Sequence, residues 1–263
     1  RDRSLTQHFC NTPSSPSRYQ TFSMAVYTQV DDAALADFLS AYDLGTLLSF
    51  AGIAEGVENS NFLLRTDRAN YILTLYEKRV DPQDLPFFIE VMEVLAGSGM
   101  SCPLPVPARD GSILQQLAGR PAAVFSFLDG TWSRYPNREK CAALGRTLAS
   151  LHLKAAPVTR LRENALGPAG WRPLLDSIGD DADILRAGMG ETIRKRLDSI
   201  LVDWPEALPR GVIHADLFPN NVLFIGDELT GVIDFYFACN DILAYDLGIC
   251  PVSYTHLTLP TIE

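Results

Sequence analysis

Val212-Ile213-His214-Ala215-Asp216-Leu217-Phe218-Pro219-Asn220-Asn221-Val222-Leu223-Phe224, with Gly231-Val232-Ile233-Asp234-Phe235 close behind it, is the stretch on which the reading of this chain turns. It holds the spacing H-x-D-x-x-x-x-N and then a carboxylate at the end of a short apolar run. Moving a γ-phosphoryl group requires something that orients and deprotonates the acceptor hydroxyl, and oxygen ligands for the Mg²⁺ ions that neutralise the phosphates. Asp216 suits the first task; Asn221 and Asp234 suit the second. The loop between Asp216 and Asn221 lets carboxylate and amide converge on one point. Gly231-Val232-Ile233 reads as a buried strand after the turn Gly226-Asp227-Glu228, and a carboxylate at its end is costly unless paired or bound to metal. Taken singly, Asp216 and Asn221 can be turn formers and Asp234 a strand end. Taken together, in this order, they make a phosphotransfer pattern.

Composition bounds the rest. The chain has 263 residues, 47% hydrophobic and 21% charged, enough for one large or two small domains with an ample core. A formal net charge of -10 argues against nucleic-acid or anionic-membrane partners, so phosphate must be met by a local site. Cys10, Cys102, Cys141, Cys239 and Cys250 form no C-x-x-C pair, which argues against a disulfide framework or structural zinc and fits a reducing cytoplasm. No apolar run is long enough to span a membrane, and the polar start has no signal-peptide core.

The first 23 residues read as a disordered leader, with Met24 a possible true start. A helix is expected from Asp31, with Asp31 or Asp32 as cap and Leu35, Phe38, Leu39 and Tyr42 on one face. Strands are expected over 46–50, 60–65 and 71–77. The connection Gly52-Ile53-Ala54-Glu55-Gly56-Val57-Glu58-Asn59 suits a phosphate-covering turn, since small residues let backbone N–H groups approach the anion, and it equally suits an ordinary hairpin. Gly52, Gly56, Asn59 and Ser60 are the nucleotide-binding candidates of this turn. A helix over 82–98 carries Glu90 and Glu93, either solvated or, for one of them, partner to a phosphate-binding Lys. Repeated prolines make 102–107 extended. A hairpin over 112–117 and 121–128 ends in Phe125-Ser126-Phe127, where a hinge would face an adenine, with Phe127 as the candidate contact.

These elements give residues 24–130 as an N-terminal nucleotide-binding lobe and 131–250 as a C-terminal catalytic lobe. The second lobe opens with a helix over 137–155, striped by Leu144, Leu148 and Leu151, on which His152 reads as packed and hydrogen-bonded rather than catalytic. A charged, glycine-interrupted region over 179–190 precedes a helix over 191–202. Another helix opens near Asp246, which can cap it or bond back to the catalytic loop.

In the segments Glu58-Asn59-Ser60-Asn61-Phe62, Tyr71-Ile72-Leu73-Thr74-Leu75-Tyr76-Glu77-Lys78-Arg79, His214-Ala215-Asp216-Leu217-Phe218 and Ile233-Asp234-Phe235-Tyr236-Phe237-Ala238-Cys239, the chain resembles the homoserine kinases built on the aminoglycoside-phosphotransferase and choline-kinase fold. The resemblance covers residues 24–248. It implies an α+β, protein-kinase-like bilobal fold: an antiparallel sheet with a helix, then a mostly helical lobe. It also implies ATP and Mg²⁺ as cofactors and L-homoserine as acceptor, in the step that activates it toward threonine. Carried over by position, it implies Asp216 as base, Asn221 and Asp234 as Mg²⁺ ligands, and Asp246 as anchor of the loop.

The chain departs from that pattern in two places. Thr74 stands where wider relatives carry a Lys or Arg, leaving Lys78 and Arg65 as uncertain substitutes. Beyond Gly248 the family continues for several helices, whereas here the chain passes into a non-family tail over 251–263, so the second lobe is expected to be truncated. The rival readings are another small-alcohol kinase, acting on choline, an aminoglycoside or a sugar, and a non-catalytic nucleotide-binding fragment.

Overall fold

The computed structural model describes residues 28–53, 59–77, 81–205 and 207–255. Helix α1 (Asp32–Ser40) begins where the Asp31 carboxylate accepts a hydrogen bond from Ala34 N at 2.8 Å. Strands β1 (Leu47–Gly52), β2 (Asn59–Thr66) and β3 (Asn70–Tyr76) follow as an antiparallel meander. Helix α2 is Leu85–Gly97. Its start lies later than the 82–98 expected, because Asp84 N bonds Asp81 O and the residues between close as a turn. Strands β4 (Pro105–Val106), β5 (Gln115–Leu117) and β6 (Arg120–Ser126) complete one sheet in the order β1-β2-β3-β6-β4, with β5 also paired to β6. Between β5 and β6, Ala118 and Gly119 both take positive φ, 50° and 71°, as a tight two-residue hairpin turn requires.

Alternation along the strands gives the sheet two different faces. Phe62, Leu64, Leu73, Leu75 and Val124 pack with Leu35, Phe38 and Tyr42 of the α1 side. Tyr76, Ala123 and Phe125 join the larger core with Phe88, Met92 and Leu95 of α2, and that core runs on into the second lobe through Leu144, Leu148, Leu151, Leu217, Val222 and Phe235.

The crossing between lobes is stitched down: Thr131 and Phe224 exchange backbone hydrogen bonds of 3.0 and 2.9 Å. Beyond it lie α3 (Arg138–Lys154), capped by the Asn137 side chain, then α4 (Pro168–Ile178), α5 (Ala182–Leu185) and α6 (Met189–Val202). Two antiparallel ribbons frame the loop that carries Asp216 and Asn221, β7 (Arg210–Ile213) with β10 (Cys239–Ile242) and β8 (Val222–Ile225) with β9 (Glu228–Val232). Helix α7 (Leu243–Thr255) follows directly. The fold is α+β and bilobal. Helix α4 was not anticipated from the sequence.

Candidate active site

The segment between β7 and β8 is held by hydrogen bonds that leave it little freedom. Asp246 of α7 is fully buried, and its carboxylate accepts from the backbone N–H groups of His214 and Ala215, each at 2.8 Å, with His152 Nε2 at 3.0 Å. Asp246 thus bonds back to the loop, and His152 of α3 packs and hydrogen-bonds behind it. His214 is buried too. Its Nε2 lies 3.0 Å from Ile233 O, while Nδ1 accepts from Asp216 N at 3.2 Å. These contacts assign the proton to Nε2 and tie the loop to the strand that precedes Asp234. Burial pushes the His214 imidazole below its ordinary pKa, against the pull of the nearby Asp246 charge, so the neutral form fits this network. Ala215 and Asp234 both have left-handed φ, 62° and 66°, unusual for residues with a side chain and concentrated here at the two edges of the site.

Asn221 bridges the loop to itself. Its Nδ2 donates to Asp216 Oδ2 at 2.8 Å and to Asp216 O at 2.7 Å. Because the amide nitrogen is engaged in this way, Oδ1 is the end of Asn221 that a cation would take. Asn221 and Asp234 line the same interlobe cleft, of about 210 Å³. Among the described residues no group of three or more His, Cys, Asp or Glu could hold a metal ion. A cation here would draw on Asn221, Asp234 and phosphate oxygens, the mixed set Mg²⁺ commonly uses.

That cleft has an apolar end and a polar end. Ile72, Met92, Pro103 and Phe125 form the first; Asn59, Asn61, Thr74 and Tyr236 lie toward the second. Asn59 is buried, and its Oδ1 has no hydrogen-bond partner among the described residues, which is costly unless a ligand supplies one. Of the nucleotide-binding candidates, Asn59 lines the cleft. Ser60 faces the other way: its Oγ donates to Glu77 Oε1 at 2.7 Å and accepts from Thr28 N, so it is a structural residue of β2. Gly52 ends β1 and does not line the cleft, although Ile53 does. Gly56 lies outside the described residues. Phe127 falls beyond the end of β6 and is 37% exposed, while Phe125 supplies the wall.

Thr74 hydrogen-bonds Asn61 Oδ1 at 2.8 Å on the cleft side of the sheet. Arg65, offered as a substitute cation, sits four residues further along β2, about 13 Å away, exposed and outside the cleft lining. Lys78 lies outside the described residues. Among the described residues Glu90 pairs with the loop after α3 and not with a Lys. It accepts from Thr159 N at 2.7 Å, Thr159 Oγ1 at 2.8 Å and Arg160 N at 3.3 Å, joining α2 to the loop after α3. The hydrogen bonds from Thr159 hold its carboxyl below the usual range.

Tyr236 lies between this cleft and a second one, also of about 210 Å³, and lines both. Its hydroxyl is 3.4 Å from that of Tyr76; burial pushes the Tyr236 phenol up to about 12 and raises Tyr76 as well. Ala215, next to Asp216, lines the second cleft together with Asp81, Asp84, Arg162 and Asn164. Sequence reasoning missed Tyr236 and Arg162. Tyr236 is adjacent to the recognised Asp234-Phe235 pair, whereas nothing near Arg162 in the sequence signals its place in the second cleft.

A profile of the phosphotransferase enzyme family matches residues 49–261. The homoserine kinase of Afipia carboxidovorans is 58% identical over 227 residues, spanning 86% of this chain and 70% of that protein. The homoserine kinase of Sinorhizobium fredii is 57% identical over the same shares. Among solved structures, an amicoumacin kinase in complex with AMP-PNP and Ca²⁺ superposes with a TM-score of 0.71 at 16% identity, over 89% of this chain and 72% of that one. A microcompartment-associated aminopropanol kinase gives a TM-score of 0.63 at 22% identity, over 88% and 82%. At such identities these structures speak for the fold alone.

Proposed function

The chain belongs to the phosphotransferase enzyme family, and on that premise we propose that it transfers the γ-phosphoryl group of ATP to the side-chain hydroxyl of L-homoserine. Similarity to curated homoserine kinases supports the acceptor. The observation that carries the chemistry is the Asn221 hydrogen bond to the Asp216 carboxylate, beside Asp234 on one cleft wall.

In this reading Asp216 is the base. Its Oδ2 is held by Asn221, so the carboxylate has a fixed direction from which to orient the acceptor hydroxyl and take its proton. Asn221 Oδ1 and the Asp234 carboxylate would hold Mg²⁺, which would supply the positive charge that ATP phosphates require. The apolar end of the cleft takes the base, and Asn59 and Asn61 meet polar groups of the nucleotide. The nucleotide-binding lobe is residues 24–130 and the catalytic lobe follows it. The cytoplasm is the compartment proposed, consistent with the free thiols of Cys102, Cys141, Cys239 and Cys250.

Phosphorus NMR of a reaction with ATP, Mg²⁺ and L-homoserine tests the proposal. The expected product is a phosphate monoester on the side-chain oxygen. Phosphate appearing only as the inorganic ion, or ester formed on choline, an aminoglycoside or a sugar but not homoserine, would contradict it.

A further inference from the structure

The second cleft joins the two lobes: Asp81, Asp84 and Phe88 come from the turn and first part of α2, and Arg162, Asn164 and Ala215 come from the second lobe. Asp216 follows Ala215, which lines this cleft, and is hydrogen-bonded by Asn221, which lines the first cleft; Tyr236 lines both. The charged groups of the lining are one guanidinium and two carboxylates. That combination is complementary to a zwitterion.

Arg162 is positioned before any ligand arrives. Its backbone N–H donates to Asn240 Oδ1 at 2.9 Å, and its carbonyl accepts from Asn240 N at 2.7 Å. Its Nε donates to Asp84 Oδ2 at 2.6 Å and its Nη1 to Ala238 O at 3.1 Å, while the guanidinium carbon lies 5.0 Å from the centre of the Phe88 ring. Nη2 has no hydrogen bond among the described residues, although the side chain is only 19% exposed. A guanidinium held by two of its nitrogens presents its remaining edge in a fixed direction, the arrangement that suits carboxylate recognition. Asp81 lines the cleft, and among the described residues its carboxylate accepts from Gln83 N at 2.9 Å.

Resting on the homoserine reading above, we infer that this cleft is the amino-acid subsite: Arg162 takes the acceptor's α-carboxylate, and Asp81 with Asp84 takes its α-ammonium. An amino alcohol without a carboxylate leaves the Arg162 edge unpaired in a partly desolvated site, and the subsite thereby selects amino acids over simple amines. Such rejection rests on leaving a polar protein group without its partner, which discriminates more strongly than loss of apolar contact.

The test is steady-state kinetics with homoserine, its decarboxylated analogue and its deaminated analogue, each as acceptor or as competitive inhibitor. Arg162→Gln is expected to raise KM for homoserine about 10²-fold while KM for ATP moves by less than about threefold. The preference for homoserine over the decarboxylated analogue collapses with it. Asp81→Asn is expected to erase the preference over the deaminated analogue instead. Equal losses on homoserine and the decarboxylated analogue would overturn the subsite and leave Arg162 as a strut between lobes. Absence of homoserine turnover in the parent would overturn the activity itself. If Arg162→Gln fails to fold, Arg162→Lys, which keeps the charge, carries the same comparison.

Discussion

Asn221 Nδ2 donates to both the carboxylate and the carbonyl of Asp216, so removing either side chain changes both. Asp216→Asn retains the shape but removes the proton acceptor, and it is expected to lower kcat by about 10²- to 10⁴-fold while ATP still binds. Titration with a fluorescent ATP analogue, beside turnover, checks both halves. His214 gives a pH signature. Its folded pKa lies below the ordinary 6.5 because burial disfavours the imidazolium. Between the two values the unfolded chain binds the extra proton, so this contribution is present above about pH 6.5 and is lost as pH falls toward the folded value. Denaturation midpoints across that window should decline for the parent and be flatter for His214→Gln. Equal slopes would remove His214 from the account.

At the scale of elements, Asp246 couples α7 and α3 to the loop. Asp246→Asn replaces an acceptor with a donor and leaves a buried N–H of His214 or Ala215 unmatched, a cost of about 1–3 kcal/mol. Urea denaturation measures this, and kcat should fall with little change in KM for ATP. Gly130 marks the crossing between lobes. At φ 139° an added Cβ would lie 2.5 Å from Thr230 Oγ1, which is itself bonded to Asp129 O. Gly130→Ala should destabilise by about 1–3 kcal/mol in the same measurement. The elements also show what the sequence disclosed. The apolar spacing of α2 and α3 and the cap at Asp31 were legible because local chemistry fixes them. The Asn59-Ser60-Asn61 reading went astray by one residue: strand alternation puts both asparagines on the cleft side and Ser60 with Phe62 behind it, a rule available from the apolar Phe62 and Leu64. Alternation alone would put Phe127 on the face of Phe125, but the strand ends at Ser126 and Phe125 is the one that lines the wall. Helix α4 had a signal in Trp171, Leu174, Leu175 and Ile178 after Gly167-Pro168, but Pro173 in its interior argued against it.

Across the whole molecule, one continuous core joins the sheet, α2 and the second lobe, and two clefts share Tyr236 in their linings. The order of elements around Asp216 was legible from spacing. The interlobe partners were not, since Arg162 to Asp84 and Glu90 to Thr159 link residues 78 and 69 apart that no local pattern relates. The chain spans about 70% of the length of the curated relatives it matches. Ligand binding across the cleft should stabilise both lobes together: at 100 times its Kd, ATP with Mg²⁺ is expected to add about 2.7 kcal/mol, seen as a rise in Tm that a chelator reverses. The most direct measurement is coupled ADP release with ATP and Mg²⁺, run with homoserine, choline, an aminoglycoside and a sugar, for the parent and Asp216→Asn. The account predicts release that depends on homoserine in the parent and falls by about 10² or more in the variant; ATP binding without acceptor-dependent release, or equal release by both proteins, would contradict it.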